Sequence, residues 1–203
     1  MNAPVSPVIR ARHAKISRKT SETSIELDLI LDGTGKADIG TGIGFLDHML
    51  ISLTKHARLD LILRCRGDLE VDDHHTAEDC ALALGQALDQ ALGDRRGIKR
   101  FAHAYAPLDE ALARVVIDLS GRPSAVIDLD LRRECLGELA CENIVHVFTS
   151  LAMASKSALH VDVLRGENDH HKAEAAFKAL ALALRDAIQR DGSDQVPSTK
   201  GVL

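Results

Sequence analysis

Asp169-His170-His171-Lys172-Ala173-Glu174 has a second copy in this chain, Asp73-His74-His75-Thr76-Ala77-Glu78. Each copy opens an alanine- and leucine-rich run that reads as a helix, over 76–92 and 172–188. The Asp ahead of each histidine pair is placed to cap its helix, accepting from the free N–H groups of the first turn. At 3.6 residues per turn, the first His and the Glu share a face, while the second His points about 100° away. One helix start therefore offers a His/Glu pair to one ion and a single His to another. Two such starts facing each other would build two metal sites, each drawing ligands from both. A lone HHxxE is weak, and its bland reading is a solvated helix start. Repetition inside a duplicated chain moves the balance toward metal.

The duplication extends outward from the two motifs. His48 precedes the first pair and His146 the second, with gaps that differ by two residues, and aligning these two also matches Leu53 to Leu151. Six of the ten histidines thus fall into one repeated arrangement. Strands are expected over 8–18, 23–31, 59–66, 101–106, 110–119, 124–131 and 159–165. The second of these alternates Ile25, Leu27, Leu29 and Leu31 with Glu26 and Asp28. Helices are expected after Gly40-Thr41-Gly42-Ile43-Gly44, over 142–155, and behind each HHxxE. That glycine cluster lacks the Lys and the preceding strand of a P-loop, so it reads as an approach to a helix. The expected fold is α+β: two similar halves, each a β-sheet covered on one face by two helices. The expected divisions are a tail over 1–7, halves over 8–96 and 97–190, and a C-terminal tail over 191–203.

Composition narrows the function classes. Of 203 residues 45% are hydrophobic, yet there is no Trp, one Tyr and four Phe, so the core must be aliphatic. Few aromatic rings and a net charge of −5 argue against nucleic acid, which needs stacking platforms and basic surfaces. Cys65, Cys80, Cys135 and Cys141 form no CxxC pair and read as small buried hydrophobes of a reducing compartment. With no apolar h-region and no 18-residue apolar run, a soluble cytoplasmic protein without membrane contact is expected.

The ligand set is His48, His74, His75, Glu78, His146, His170, His171 and Glu174. Six imidazoles and two carboxylates shared by two ions give four protein ligands each. Mixed N/O donors without thiolate suit Mn²⁺, Fe²⁺, Co²⁺ or Zn²⁺. Six-coordinate ions would keep open positions, which belong to substrate. Cationic residues gather at turns: Arg95-Arg96-Gly97-Ile98-Lys99-Arg100, then Arg122, Lys178 one turn beyond Glu174, and Lys200 in Ser198-Thr199-Lys200. Singly, each is an ordinary surface charge; together they suggest an anionic, phosphorylated substrate.

The chain resembles the imidazoleglycerol-phosphate dehydratases of histidine biosynthesis. The resemblance is carried by Arg18-Lys19-Thr20-Ser21-Glu22-Thr23, Gly44-Phe45-Leu46-Asp47-His48-Met49-Leu50, both HHxxE segments, and Gly97-Ile98-Lys99-Arg100-Phe101. It continues through Pro107-Leu108-Asp109-Glu110-Ala111, Asp118-Leu119-Ser120-Gly121-Arg122-Pro123 and Pro197-Ser198-Thr199-Lys200-Gly201-Val202-Leu203. It implies a hydro-lyase converting D-erythro-imidazoleglycerol phosphate to imidazole-acetol phosphate, with two Mn(II) per active site. It further implies a two-layer sandwich of the ribosomal protein S5 domain 2-like type and a homo-24-mer built from trimers with active sites between subunits. The eight ligands carry over by position. Glu22 falls at the family's acid/base glutamate, Arg100, Arg122, Lys178, Ser198 and Lys200 at its phosphate contacts, and 191–203 at a tail that closes on substrate. Ser52 stands where Gln is expected, and Ala57 and Ala102 where Gly is.

The implied chemistry accounts for two ions. The proton to be removed sits on a carbinol carbon with no neighbouring carbonyl. Two ions on the two imidazole nitrogens would stabilise an imidazolate, which expels the adjacent hydroxyl to a diazafulvene and so acidifies the next C–H for Glu22. Without the family, Glu22 reads as a solvent-facing strand residue. Asp47 and Asp79 are candidates for holding ligand histidines, and His56 could face the site. Two rivals stand: a dinuclear phosphate-ester hydrolase, usually Asp-rich, and a non-catalytic protein whose metals join subunits.

Overall fold

Alternation puts Ile25, Leu27 and Leu29 on one face of a strand, and all three are buried. In this computed structural model, residues 12–203 are described; the expected tail over 1–7 and the start of the strand expected over 8–18 lie outside the described residues. The first half runs β1 (His13–Lys19), β2 (Thr23–Ile30), β3 (Ala37–Gly40), α1 (Gly44–Ala57), β4 (Asp60–Gly67) and α2 (His74–Leu92). The second runs β5 (Phe101–Leu108), β6 (Ala111–Asp118), β7 (Ser124–Asp128), a hairpin of β8 (Cys135–Leu136) and β9 (Leu139–Ala140), then α3 (Cys141–Ala154), β10 (Ala158–Arg165) and α4 (Asp169–Ala187).

The two sheets share one topology. The orders are β1-β2-β4-β3 and β5-β6-β10-β7, and in both the last strand lies parallel to its neighbour while the rest are antiparallel. Inward rows pair leucines and valines across strands, as Leu27 with Leu63 and Val115 with Val161. The two halves are therefore structural repeats, each an α+β layer pair.

The halves join through their helices: α2 packs on α3, and α1 on α4. Gly85 sets the first of these approaches. A Cβ there would stand 2.6 Å from Ala154 Cβ and 2.8 Å from the Leu151 carbonyl oxygen. Gly85→Ala is expected to cost about 2 kcal/mol through overpacking, despite its better helix propensity. A Tm equal to the wild type's would show that the helices can part freely. No helix is long and apolar enough to cross a membrane, among the described residues.

Several local expectations are corrected. The strand expected over 124–131 ends at Asp128, because Asp130 takes a left-handed φ of 46°. Lys172, fully buried, fixes that bend by donating to the Asp130 carbonyl at 2.6 Å. β3 and the β8–β9 hairpin are too short for periodicity to reveal. The Asp ahead of each histidine pair is not the side-chain cap. Asn168 Oδ1 accepts from the His170 N–H at 2.9 Å, and Asp72 Oδ1 from the His74 N–H at 2.8 Å. Asp73 and Asp169 instead clamp loops, accepting from the backbone of Ala140 and of Arg132 and Arg133.

Candidate functional site

The helix pairing decides which donors meet. His74 and Glu78 on α2 converge with His146 on α3, and His170 and Glu174 on α4 converge with His48 on α1. In each cluster the donor atoms all lie within 4.8 Å of one another. Glu78 Oε1 lies 3.1 Å from His146 Nε2, and Glu174 Oε2 lies 3.2 Å from His48 Nε2 and 3.3 Å from His170 Nε2. Donors on one ion at about 2.0–2.2 Å stand at most about 4.4 Å apart, so small side-chain rotations suffice. His146 Nε2 is buried, and the Glu78 oxygen 3.1 Å away does not meet it in hydrogen-bond geometry. Among the described residues it therefore has no hydrogen-bond partner, as expected of a ligand awaiting a cation. The residues thus fit a metal ion at each cluster. Within one chain the two HHxxE starts do not face each other. Each turns to the lone histidine of the other half.

Neither His75 nor His171 is a member of the two clusters. The Nδ1–H of His75 donates to Asp68 Oδ2 at 3.0 Å, and that of His171 to Glu110 Oε2 at 2.7 Å. Both imidazoles are raised above their usual pKa, chiefly by these carboxylates. Glu22 lies in the turn between β1 and β2, not on a strand, with its carboxylate 3.8 Å from His75 Nε2.

Asp47 and Asp79 hold no ligand histidine. Asp47 accepts from the N–H and hydroxyl of Thr41 and so braces the glycine approach to α1, while Asp79 accepts from Arg18 and Thr23. The groups that do hold rings of the expected ligands are Asp68, Glu110 and Asn143, whose Oδ1 accepts from His74 Nδ1–H at 2.8 Å. The residues themselves offered no local signal for these three.

Four of the five expected phosphate contacts come together. Arg100, Arg122, Ser198 and Lys200 line one cleft of about 540 Å³. The C-terminal segment reaches it by folding back along 96–100: Gly97 N–H donates to the Gln195 carbonyl and Asp191 N–H to the Gly97 carbonyl. Arg100 forks onto Asp118 at 2.7 and 3.0 Å and donates to the Pro197 carbonyl at 2.7 Å. Two of its five N–H groups make no hydrogen bond among the described residues. Lys178 stands apart, 2.8 Å from Glu174 beside the His48 cluster. Partial burial pushes the Glu174 carboxyl up, but Lys178 and His48 outweigh it and the net direction is down. His56 is lowered by partial burial and by nearby Lys178. Ser52 lies one turn past His48 on α1, its hydroxyl buried without a hydrogen-bond partner among the described residues, and Ala57 and Ala102 are buried.

The Glu110–His171 pair makes a pH-dependent contribution. Glu110 is pulled from 4.5 down to about 2, first by the Asn168 N–H and then by His171. Its contribution to folding is present above pH 4.5 and lost as pH falls toward about 2. The His171 contribution is present below 6.5 and lost as pH rises through its raised value. The stability difference between metal-free wild type and Glu110→Gln should therefore peak between pH 4.5 and 6.5 in urea titrations. A difference that stays flat across that range would deny the ion pair.

A family model for imidazoleglycerol-phosphate dehydratase matches residues 41–184. A protein of that name from Phytophthora nicotianae is 61% identical over 192 residues, covering 95% of this chain but 42% of the relative, so the chain spans less than half of that protein. Another from Phaffia rhodozyma is 57% identical, with 95% of this chain and 96% of the relative covered. The crystal structure of imidazoleglycerol-phosphate dehydratase from Staphylococcus aureus aligns with a TM-score of 0.79 and 34% identity, over 88% of this chain and 99% of that one.

Proposed function

The chain belongs to the imidazoleglycerol-phosphate dehydratase family, and from that footing we propose that it is a hydro-lyase of histidine biosynthesis, converting D-erythro-imidazoleglycerol phosphate to imidazole-acetol phosphate and water. The observation that carries this reading is the duplicated three-donor cluster, built twice from the same residue types. We assign one Mn(II) to each cluster, other divalent transition metals suiting the same donors. Bound there, the ions would act as Lewis acids toward the substrate's two ring nitrogens and favour its anionic form.

The protein's own groups supply the rest. Each cluster brings three donors, and His75 and His171, outside both, make no hydrogen bond through Nε2 among the described residues. They are read as the fourth ligands of clusters on neighbouring subunits, which makes the site complete only in an assembly, the homo-24-mer of trimers. Glu22 travels with His75 and so reaches a site whose cluster belongs to another chain. There it removes the proton from the hydroxyl-bearing carbon second from the ring and returns one as the enol becomes ketone. Arg100, Arg122, Ser198 and Lys200 receive the phosphate from one subunit and Lys178 from another, with 191–203 closing over it. Four free cysteines suit a cytoplasmic location.

The test is turnover of imidazoleglycerol phosphate by Mn²⁺-loaded protein, followed as the ketone product, with loss on chelation. Release of inorganic phosphate would indicate the hydrolase rival. Metal-dependent assembly with no turnover would indicate the structural one.

A further inference from the structure

The two histidines outside the clusters are held by carboxylates from different places in the repeat. Asp68 follows β4 directly, whereas Glu110 lies in the β5–β6 turn. A ring whose Nδ1–H is tied to a carboxylate has one tautomer and one orientation, and its Nε2 faces outward as a ligand.

The shared topology tells which residue answers to which. β2 begins at Thr23 and β6 at Ala111, so Glu22 and Glu110 occupy the same place, each just ahead of its strand. β4 runs into Arg66-Gly67-Asp68 and β10 into Arg165-Gly166-Glu167, so the counterpart of Asp68 is Glu167. Between that carboxylate and the histidine pair lie residues 69–73 in the first half and only 168–169 in the second. With the shorter connection, Glu167 is exposed, and the N–H groups of Glu167 and Asn168 donate to Glu110 Oε1 at 3.1 and 2.9 Å. One oxygen of Glu110 thus pins the loop ahead of α4, while the other holds His171.

We propose that Asp68 and Glu110 are positioning residues for the two histidines outside the clusters, and that with the shorter second loop this duty falls to the counterpart of Glu22. It rests on the reading of His75 and His171 as ligands to neighbouring clusters. The consequence is a division of labour between repeated positions. Glu110 is tied up by three hydrogen bonds and cannot leave to carry a proton. Glu22 is free to do so, because Asp68 has taken over the holding of His75, and no hydrogen bond to the Glu22 carboxylate forms among the described residues.

Mn²⁺ titration of the full, assembled protein without substrate tests this in Asp68→Ala, Glu110→Ala, Asp68→Asn and Glu110→Gln. Each alanine variant should weaken one class of Mn²⁺ site by about 10–100-fold and spare the other. Asp68→Asn keeps an oxygen that accepts from Nδ1–H and should restore most of the affinity. Glu110→Gln has one acceptor oxygen where Glu110 uses two. With that oxygen on the Glu167 and Asn168 N–H groups the loop clamp stays, the amide NH2 faces His171 Nδ1, and affinity should fall as in Glu110→Ala, which covers the case in which the alanine variant fails to fold. The Mn²⁺-induced rise in Tm should shrink in step with affinity, which loss of a purely structural contact would not do. His75→Ala and His171→Ala are the reference. If they lose a Mn²⁺ site while the carboxylate variants bind within about twofold of wild type, the positioning role alone is overturned. If the histidine variants also bind as wild type, the ligand reading fails and takes this proposal with it.

Discussion

Glu22→Gln should lower kcat by about 10²–10⁴-fold, the usual worth of a general base, while Mn²⁺ stays bound. The substitution is nearly isosteric. The turn that carries residue 22 is built by the Thr20 hydroxyl, which accepts from the backbone N–H groups of Glu22 and Thr23 at 3.1 and 2.9 Å, and none of this involves the carboxylate. What glutamine removes is the ability to take a proton at a point 3.8 Å from His75 Nε2. Because Glu22 is absent from both clusters, metal content should match wild type. A fall in kcat with KM little changed places the loss in the chemical step rather than in binding. The limb of the kcat profile that reports the base should vanish as well. Near-normal kcat with metal retained would take Glu22 out of the reaction and leave the proton without an assigned acceptor.

How much of this could be read from the residues alone depends on the range of each interaction. The strand alternation in Ile25, Leu27 and Leu29 and the helices behind each HHxxE are local patterns, and the structure has them within a few residues. The ligand types were legible for the same reason, since His74 with Glu78 and His170 with Glu174 are neighbours on one helix face. The partner of each pair was not. Helical periodicity names a face but not what lies opposite, and that is decided by α2 meeting α3 across Gly85 and α1 meeting α4. The holders of the rings were hidden for a related reason. Asp47 and Asp79 drew notice by adjacency to ligands, yet a side chain next in sequence points elsewhere on a helix. Glu110 is 61 residues from His171, and only the meeting of the β5–β6 turn with the start of α4 brings them together. The cleft expected to take phosphate joins Arg100 to the Pro197 carbonyl across 97 residues; the gathered cations suggest an anionic substrate, but that they meet in one cleft is not written in any local pattern.

Two variants that are each dead should revive one another when coexpressed. His146→Ala removes a donor from the α2–α3 cluster, and His75→Ala removes the imidazole proposed to complete a cluster on a neighbour. Losing a ligand withdraws several kcal/mol of charge stabilisation, about a thousandfold in rate or more. Neither chain alone can then form a full set of sites. In a mixed assembly, a His75→Ala subunit still carries an intact α2–α3 cluster, and a His146→Ala subunit still offers His75 together with Glu22. Wherever the two meet in the right order, a complete site forms with groups from both chains. Coexpressed protein should therefore regain activity well above either variant, with Mn²⁺ content rising in parallel. If all catalytic groups came from one chain, every subunit in the mixture would still lack one of them. Activity would stay at the level of the single variants, and inter-subunit completion would have to be given up whatever the oligomer's size.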